Sequence, residues 1–186
     1  KKWRRTKKSE CLMVYGPRQV GKTYVVEKFG REEYDSFIEI NFFLHPELKT
    51  IFDGSLEASE IYKRISANIS GVDFIPGKTL IFLDEIQECP NARTALKFLA
   101  IDNRYDVVAS GSLLGLHYKQ IASIPVGYEK IVEMYSLDFE EFLWANGYSE
   151  EAVLILKSYF EKREKVPEVI NQKYLHLFKE YMVVGG

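Results

Sequence analysis

The chain has 186 residues, 46% of them hydrophobic, and a formal net charge of −2. It is long enough for one substantial core with a small appendage, and its nearly balanced charge gives no whole-chain argument for nucleic-acid binding. The two cysteines and three histidines are too scattered to predict a disulfide framework or a metal cluster. Together with the lack of an apolar run of transmembrane length, this composition predicts a protein of a reducing compartment, the cytoplasm, without a membrane partner.

The chain opens with a basic run, Lys1–Lys8, that contains Trp3. Such a run could contact the phosphate backbone of a nucleic acid, but we favour a solvated leading helix.

Because the chain begins with a lysine and stops inside the apolar, glycine-containing segment Val183–Gly186, we expect it to be a piece of a longer protein.

A phosphate-binding loop follows the first predicted strand. The apolar run Cys11–Tyr15 predicts that strand, and a helix is expected over Thr23–Phe29. Between them lies GPRQVGKT, a complete P-loop in the strand–loop–helix order that gives the motif its mechanism. Its glycines let backbone N–H groups point at phosphate oxygens, and the helix N-terminus adds partial positive charge. The residues predicted to bind the nucleotide are Gly16, Pro17, Arg18, Gln19, Val20, Gly21, Lys22 and Thr23.

Two side chains of the P-loop have predicted chemical roles. We expect Lys22 to reach the β- and γ-phosphates and act in catalysis, and the Thr23 hydroxyl to ligate Mg²⁺. The alternative, a glycine turn that ends in Lys-Thr by chance, is disfavoured by the strand before it and the helix after it. The loop therefore predicts a protein that binds a nucleoside triphosphate.

The next segments alternate between strand and helix patterns. Ser36–Asn41 alternates as a second strand, and Glu57–Ile69 carries isoleucines four residues apart, as on one face of an amphipathic helix. Gly71–Lys78 contains Pro-Gly and is expected to be a loop.

An acidic pair ends the third predicted strand. Thr79–Leu83 is a continuous apolar run, as expected for a strand buried on both faces of a parallel sheet, and Asp84 and Glu85 follow it directly. Acidic residues at the carboxyl end of such a strand lie where α/β sheets bind ligands. We expect Asp84 to hold Mg²⁺ opposite Thr23, and Glu85 to polarise the water that attacks the γ-phosphate. A solvated acidic strand end is the alternative.

A polar sequence follows the fourth predicted strand. Beyond a helix that begins near Asn91, Val107–Ala109 predicts the strand, and Ser-Gly-Ser comes next. Ser110 or Ser112 could sense the γ-phosphate by hydrogen-bonding the attacking water or a phosphate oxygen, and Ser110 is our candidate catalytic residue. A simple strand-ending turn is the alternative.

Lys130–Met134 predicts a fifth strand, and the composition then turns helical. Helices are expected to begin after the capping residues Asp138 and Ser149, with Phe160 among the residues that pack inward, and a last helix covers Val169–Met182. The alternation of strands and helices before this region predicts an α/β fold with a mostly parallel sheet.

Several motifs together resemble one protein family. They are the P-loop with its preceding tyrosine, Leu83–Gln87, Ala109–Gly115, Pro125–Gly127 and Ser136–Leu143. Each Walker motif is generic, but the set resembles the prokaryotic AAA-type ATPase domain of the AAA_14 family. Members of that family continue into a C-terminal domain of unknown function, and the resemblance covers nearly the whole chain.

The resemblance implies a P-loop NTPase of the additional-strand (ASCE), AAA-like type, a three-layer αβα fold that takes ATP and Mg²⁺. It implies an ATPase core over residues 1–136 and a helical extension over residues 137–186, the start of a truncated C-terminal region. The leading hypothesis is Mg²⁺-dependent ATP hydrolysis that switches an attached domain or a partner.

Other functions remain open alternatives. One is a P-loop phosphotransferase, which the Asp84-Glu85 pair disfavours because a water-activating acid promotes hydrolysis. Another is a slow-turnover, nucleotide-gated binding module, with DNA as one partner through the basic N-terminus. A homo-oligomer and a complex with another protein are both compatible with the sequence.

Overall fold

A five-stranded sheet, parallel at every pairing, lies at the centre of the fold. Its strands are β1 (Cys11–Gly16), β2 (Ser36–Asn41), β3 (Thr79–Asp84), β4 (Asp106–Ser112) and β5 (Glu129–Glu133). They lie in the order β2-β3-β4-β1-β5, so β4 separates the P-loop strand from the strand that ends in Asp84. An intervening strand at this position is the arrangement expected of the additional-strand type of P-loop NTPase.

Helices cover both faces of this sheet. They are α1 (Lys22–Glu33), α2 (Ala58–Asn68) and α3 (Pro90–Asp102), and two 3-10 helices span Pro46–Phe52 and Ile86–Glu88. Because side chains alternate along a strand, β3 contributes to two cores: Leu80 and Phe82 pack with Val26 of α1, whereas Ile81 and Leu83 pack with α2 and α3. The structure thereby confirms the predicted three-layer αβα fold.

The computed structural model describes residue 3 and the ranges 9–112 and 127–185. The predicted basic run, apart from Trp3, and the family-like segments within 113–126 lie outside these residues. Trp3 is buried, packed with the core on the α1 side of the sheet, so its indole does not offer a surface for stacking on a nucleic-acid base. No helix in the described part of the chain is both long and apolar enough to cross a membrane.

The described residues fall into two compact units, the first ending at Met134 and the second beginning at Tyr135. The second unit contains α4 (Phe139–Ala145), α5 (Glu150–Lys162) and α6 (Glu168–Val184). Both predicted caps are present, a capping box at the start of α4 and a serine that accepts a hydrogen bond at the start of α5.

The prediction that Phe160 packs inward is wrong, because its side chain is 85% exposed. Within the described part of the second unit, only Leu143 and Leu177 are buried. A unit of three helices has too little interior to cover every apolar helical face, so helical periodicity alone overestimates its core.

Candidate functional site

The P-loop begins where β1 ends, and its first glycine is required by close packing. A Cβ atom on Gly16 would lie 2.0 Å from the backbone oxygen of Met134. Met134 is held there because its N–H donates a 2.7 Å hydrogen bond to the carbonyl oxygen of Tyr15. Any larger residue at position 16 would push this loop away from the chain that follows β5.

The loop leads directly into the N-terminus of α1. Gly21 lies in the left-handed region, with φ of 87°, and among the described residues no side chain caps the helix or places a carboxylate in its first turn. The first N–H groups of the helix and its partial positive charge therefore face the loop, which is the geometry that binds phosphate. The side chains of Pro17, Arg18 and Gln19 are exposed, which leaves the backbone of the loop as its binding surface.

Lys22 lies buried beneath the loop. Its Nζ atom donates hydrogen bonds to the carbonyl oxygens of Gly16 (3.2 Å) and Pro17 (2.6 Å). Burial lowers the pKa of Lys22, and the nearby Glu85 and Asp84 carboxylates partly oppose that shift. The ammonium thus lies against the loop carbonyls and near the carboxylates of Asp84, which ends β3, and Glu85, which follows it.

Asp84 is the centre of a buried polar cluster and is only 1% exposed. Its Oδ2 accepts hydrogen bonds from Thr23 Oγ1 (3.0 Å) and from Asn41 Nδ2 (2.8 Å). Its Oδ1 accepts a hydrogen bond from Ser110 Oγ. The structure therefore brings together three residues for which separate roles are predicted, namely Thr23, Asp84 and Ser110.

Asn41 is the member of this cluster that sequence reasoning missed. It ends β2 and lies directly beside Asp84 in the register of the β2–β3 ladder. Its Oδ1 accepts hydrogen bonds from the backbone N–H groups of Phe43 (3.0 Å) and Leu44 (2.9 Å). A polar residue at the end of a predicted strand was the available signal, but only the strand order shows which carboxylate it meets.

Glu85 has an unusual backbone conformation. It is not part of β3 but follows it in the left-handed region, with φ of 53°, so the alternation of side chains along the strand does not set its direction. A non-glycine residue there costs on the order of 1 kcal/mol or more, and such strain concentrates at functional sites. The Glu85 carboxylate is half-buried and accepts a hydrogen bond from Gln87 Nε2.

Ser110 and Ser112 are both buried in β4, which pairs with β1 through Ser112. The alternative of a strand-ending turn is therefore wrong for these residues. Ser110 reaches Asp84, whereas Ser112 lies beside Gly16 in the β1–β4 register.

The donor set fits Mg²⁺ and a triphosphate. Mg²⁺ in nucleotide sites takes oxygen ligands from a hydroxyl, one or two carboxylates, water and phosphate. Thr23 and Asp84 supply such oxygens within hydrogen-bonding distance of each other, and Lys22 and the α1 N-terminus supply positive charge beside them. Fold and site together define a P-loop NTPase.

The chain belongs to a family of AAA domains, whose family model matches residues 8–143. The match includes the P-loop, the acidic pair Asp84-Glu85 and all the described strands of the sheet. Membership of this family suggests a nucleotide-binding ATPase. No curated protein matches the chain at a significant level.

Proposed function

We propose that this chain is a Mg²⁺-dependent ATPase whose hydrolysis of ATP switches an attached domain or a partner in the cytoplasm. The observation that carries the proposal is the hydrogen bond between Thr23 of the P-loop helix and the buried carboxylate of Asp84. It joins the predicted nucleotide-binding and metal-binding residues in one place. Membership of the AAA domain family supports the same function.

Binding would use the loop backbone, one ammonium and the Asp84 cluster. The N–H groups of the loop and of the α1 N-terminus would hold the phosphates. The Lys22 ammonium donates to the carbonyl oxygens of the first two loop residues, and from there it would reach the β- and γ-phosphate oxygens. Thr23 and Asp84 would hold Mg²⁺, which when bound neutralises charge on the phosphate oxygens.

Hydrolysis would depend on Glu85. Its carboxylate would take a proton from water as the water oxygen bonds to the γ-phosphorus. The bond from that phosphorus to the β–γ bridging oxygen breaks, and ADP leaves with the bond's electron pair. Ser110 would keep the Asp84 carboxylate oriented through its hydrogen bond to Oδ1.

The first experiment is a calorimetric titration of Mg·ATP into the 186-residue chain, paired with a turnover assay. Lys22→Ala should abolish tight binding, whereas Lys28→Ala, which removes an exposed lysine of the same helix, should leave it unchanged. Glu85→Gln should retain binding but lower turnover about 10²- to 10⁴-fold, the usual contribution of a general base. Chelation of Mg²⁺ by EDTA should stop turnover.

Two results would remove parts of this proposal. If the wild-type chain does not bind Mg·ATP, the site is not a working P-loop in this chain. If Glu85→Gln turns over ATP at the wild-type rate, Glu85 is not the base.

A further inference from the structure

Gln87 is a buried polar residue for which the proposed mechanism so far gives no role. It lies in the 3-10 helix that follows Glu85, and it is only 7% exposed. Its Nε2 donates a hydrogen bond to Oε2 of the Glu85 carboxylate. The opposite assignment of the amide would place its oxygen against a carboxylate oxygen, so the donor must face Glu85.

In the part of the chain that the structure describes, the other end of the amide has no compensating contact. Gln87 Oε1 is buried and has no hydrogen-bond partner among the described residues. A buried acceptor without a partner loses its hydration and lowers stability. An apolar side chain of similar length, such as methionine, would fill the same space without that cost. Stability alone therefore does not explain a glutamine at this position.

The neighbouring strand leaves room for the amide. The β3–β4 ladder ends at Leu83 and Ala109, but β4 continues through Ser112. Gln87 lies over this extension, where a Cβ atom on Gly111 would be 2.9 Å from Gln87 Oε1. A side chain at position 111 would crowd the Oε1 end of the amide, so glycine there leaves room for Gln87 in the position from which it donates to Glu85.

We propose that Gln87 is a positioning residue for Glu85, and that Gly111 makes this position possible. The inference rests on the proposed ATPase function. Gln87 holds Oε2 of the carboxylate and so fixes the orientation of a side chain whose backbone is in the left-handed region. The other oxygen, Oε1, is then left to take the proton from the attacking water. Misplacing a catalytic group by about 1 Å can cost 10²-fold in rate, so this orientation affects turnover.

The test compares Gln87→Met with Gly111→Ala in steady-state and single-turnover hydrolysis of Mg·ATP. Both variants should lower kcat roughly 10- to 100-fold and leave the KM and the Kd for nucleotide within about twofold. Gly111→Ala keeps the glutamine but displaces the end of its side chain, so it perturbs the same contact without changing the amide itself. The added Cβ atom would also lie 3.2 Å from Met13 Cε of β1, and an unchanged Kd for nucleotide shows that the P-loop strand is not disturbed. The thermal midpoint of Gln87→Met should stay unchanged or rise, because the unpaired acceptor is removed. A merely structural glutamine would lower it.

Two controls make the result specific. Gln172→Met removes a comparable glutamine–glutamate hydrogen bond (3.0 Å) on the exposed surface of α6 and should not change kcat. In a Glu85→Gln background, Gln87→Met should cause no further loss, because Gln87 acts only through the Glu85 carboxylate.

The outcomes separate the two proposals. If the wild-type chain hydrolyses ATP and both variants do so at its rate, the positioning role is overturned and the ATPase proposal stands. An additional loss in the Glu85→Gln background would also overturn it. If the wild-type chain neither binds nor hydrolyses ATP, the ATPase proposal fails and this inference fails with it.

Discussion

Asn41 connects the buried Asp84 carboxylate to the backbone that follows β2. Its amide nitrogen donates to Asp84, and its amide oxygen accepts from two backbone N–H groups, so one side chain satisfies groups on three residues. The side chains of Phe43 and Leu44, whose N–H groups it binds, are largely exposed at 69% and 66%. Hydrogen bonds that these two N–H groups donate to Asn41, rather than burial of their side chains, therefore hold this turn.

Asn41→Ala should lower the free energy of unfolding by about 1–3 kcal/mol, because it leaves a buried carboxylate short of one donor and two N–H groups without their acceptor. Asn41→Asp separates the two effects. It retains an acceptor for the backbone but places a second carboxylate beside Asp84, so we expect it to be less stable than Asn41→Ala at pH 7. Urea unfolding checks both variants, and equal stability of all three proteins would contradict the assigned contacts.

Local sequence patterns predict the strands themselves better than they predict which strands pair with each other. Alternation along Ser36–Asn41 predicts a strand with the bounds that the structure gives to β2, because this pattern is local. The apolar pattern underestimates the length of β4, since Ser110–Ser112 belong to the strand only through pairing with β1. Pairing of this kind depends on residues far apart in sequence, and no local pattern reports it.

The same distinction applies to the site. The P-loop and the acidic pair can be predicted because each is a pattern of consecutive residues, and in the structure Thr23 donates a hydrogen bond to Asp84. The contacts of Asn41 and Gln87 cannot be predicted from consecutive residues. The contact of Asn41 with Asp84 depends on the register of β2 against β3. The contact of Gln87 with Glu85 depends on the turn that follows β3.

At the junction between β1 and the P-loop, the backbone packs so closely that no side chain fits at position 16. Gly16→Ala would place a Cβ atom 2.0 Å from the Met134 backbone oxygen, an atom that cannot move without shifting the chain after β5. We expect a loss of about 3 kcal/mol or more, at the upper end of overpacking effects, together with loss of nucleotide binding.

Gly54→Ala is the matched control for this substitution. Gly54 has φ of 76°, but a Cβ atom added there would meet nothing within 4 Å, so alanine should cost only the backbone term of about 1–2 kcal/mol. Urea unfolding of both variants checks the comparison. If they lose equal stability, the close approach of Met134 is not what requires glycine at position 16.

In the first unit as a whole, β5 is an edge strand of the sheet, and apolar contacts alone do not hold it against the rest of the unit. Its Ile131 and Val132 side chains are 52% and 42% exposed, and among the described strands it pairs with β1 alone. A buried ion pair adds a second attachment, because Arg93 of α3 donates to both carboxylate oxygens of Glu129 in β5. The two side chains are only 6% and 3% exposed.

Removing one partner of this ion pair should destabilise the protein far more than replacing both partners with apolar residues. Arg93→Met leaves the Glu129 carboxylate buried without its partner, which typically costs about 3–5 kcal/mol, a large part of the 5–15 kcal/mol that stabilises a domain. The double variant Arg93→Met/Glu129→Met removes both charges and should recover most of that loss. Lys78→Met breaks an exposed pair with Asp35 and should cost less than about 1 kcal/mol. Urea unfolding checks all three variants. If the double variant is no more stable than Arg93→Met, the loss comes from the missing ion pair that holds β5 and not from the unpaired Glu129 carboxylate.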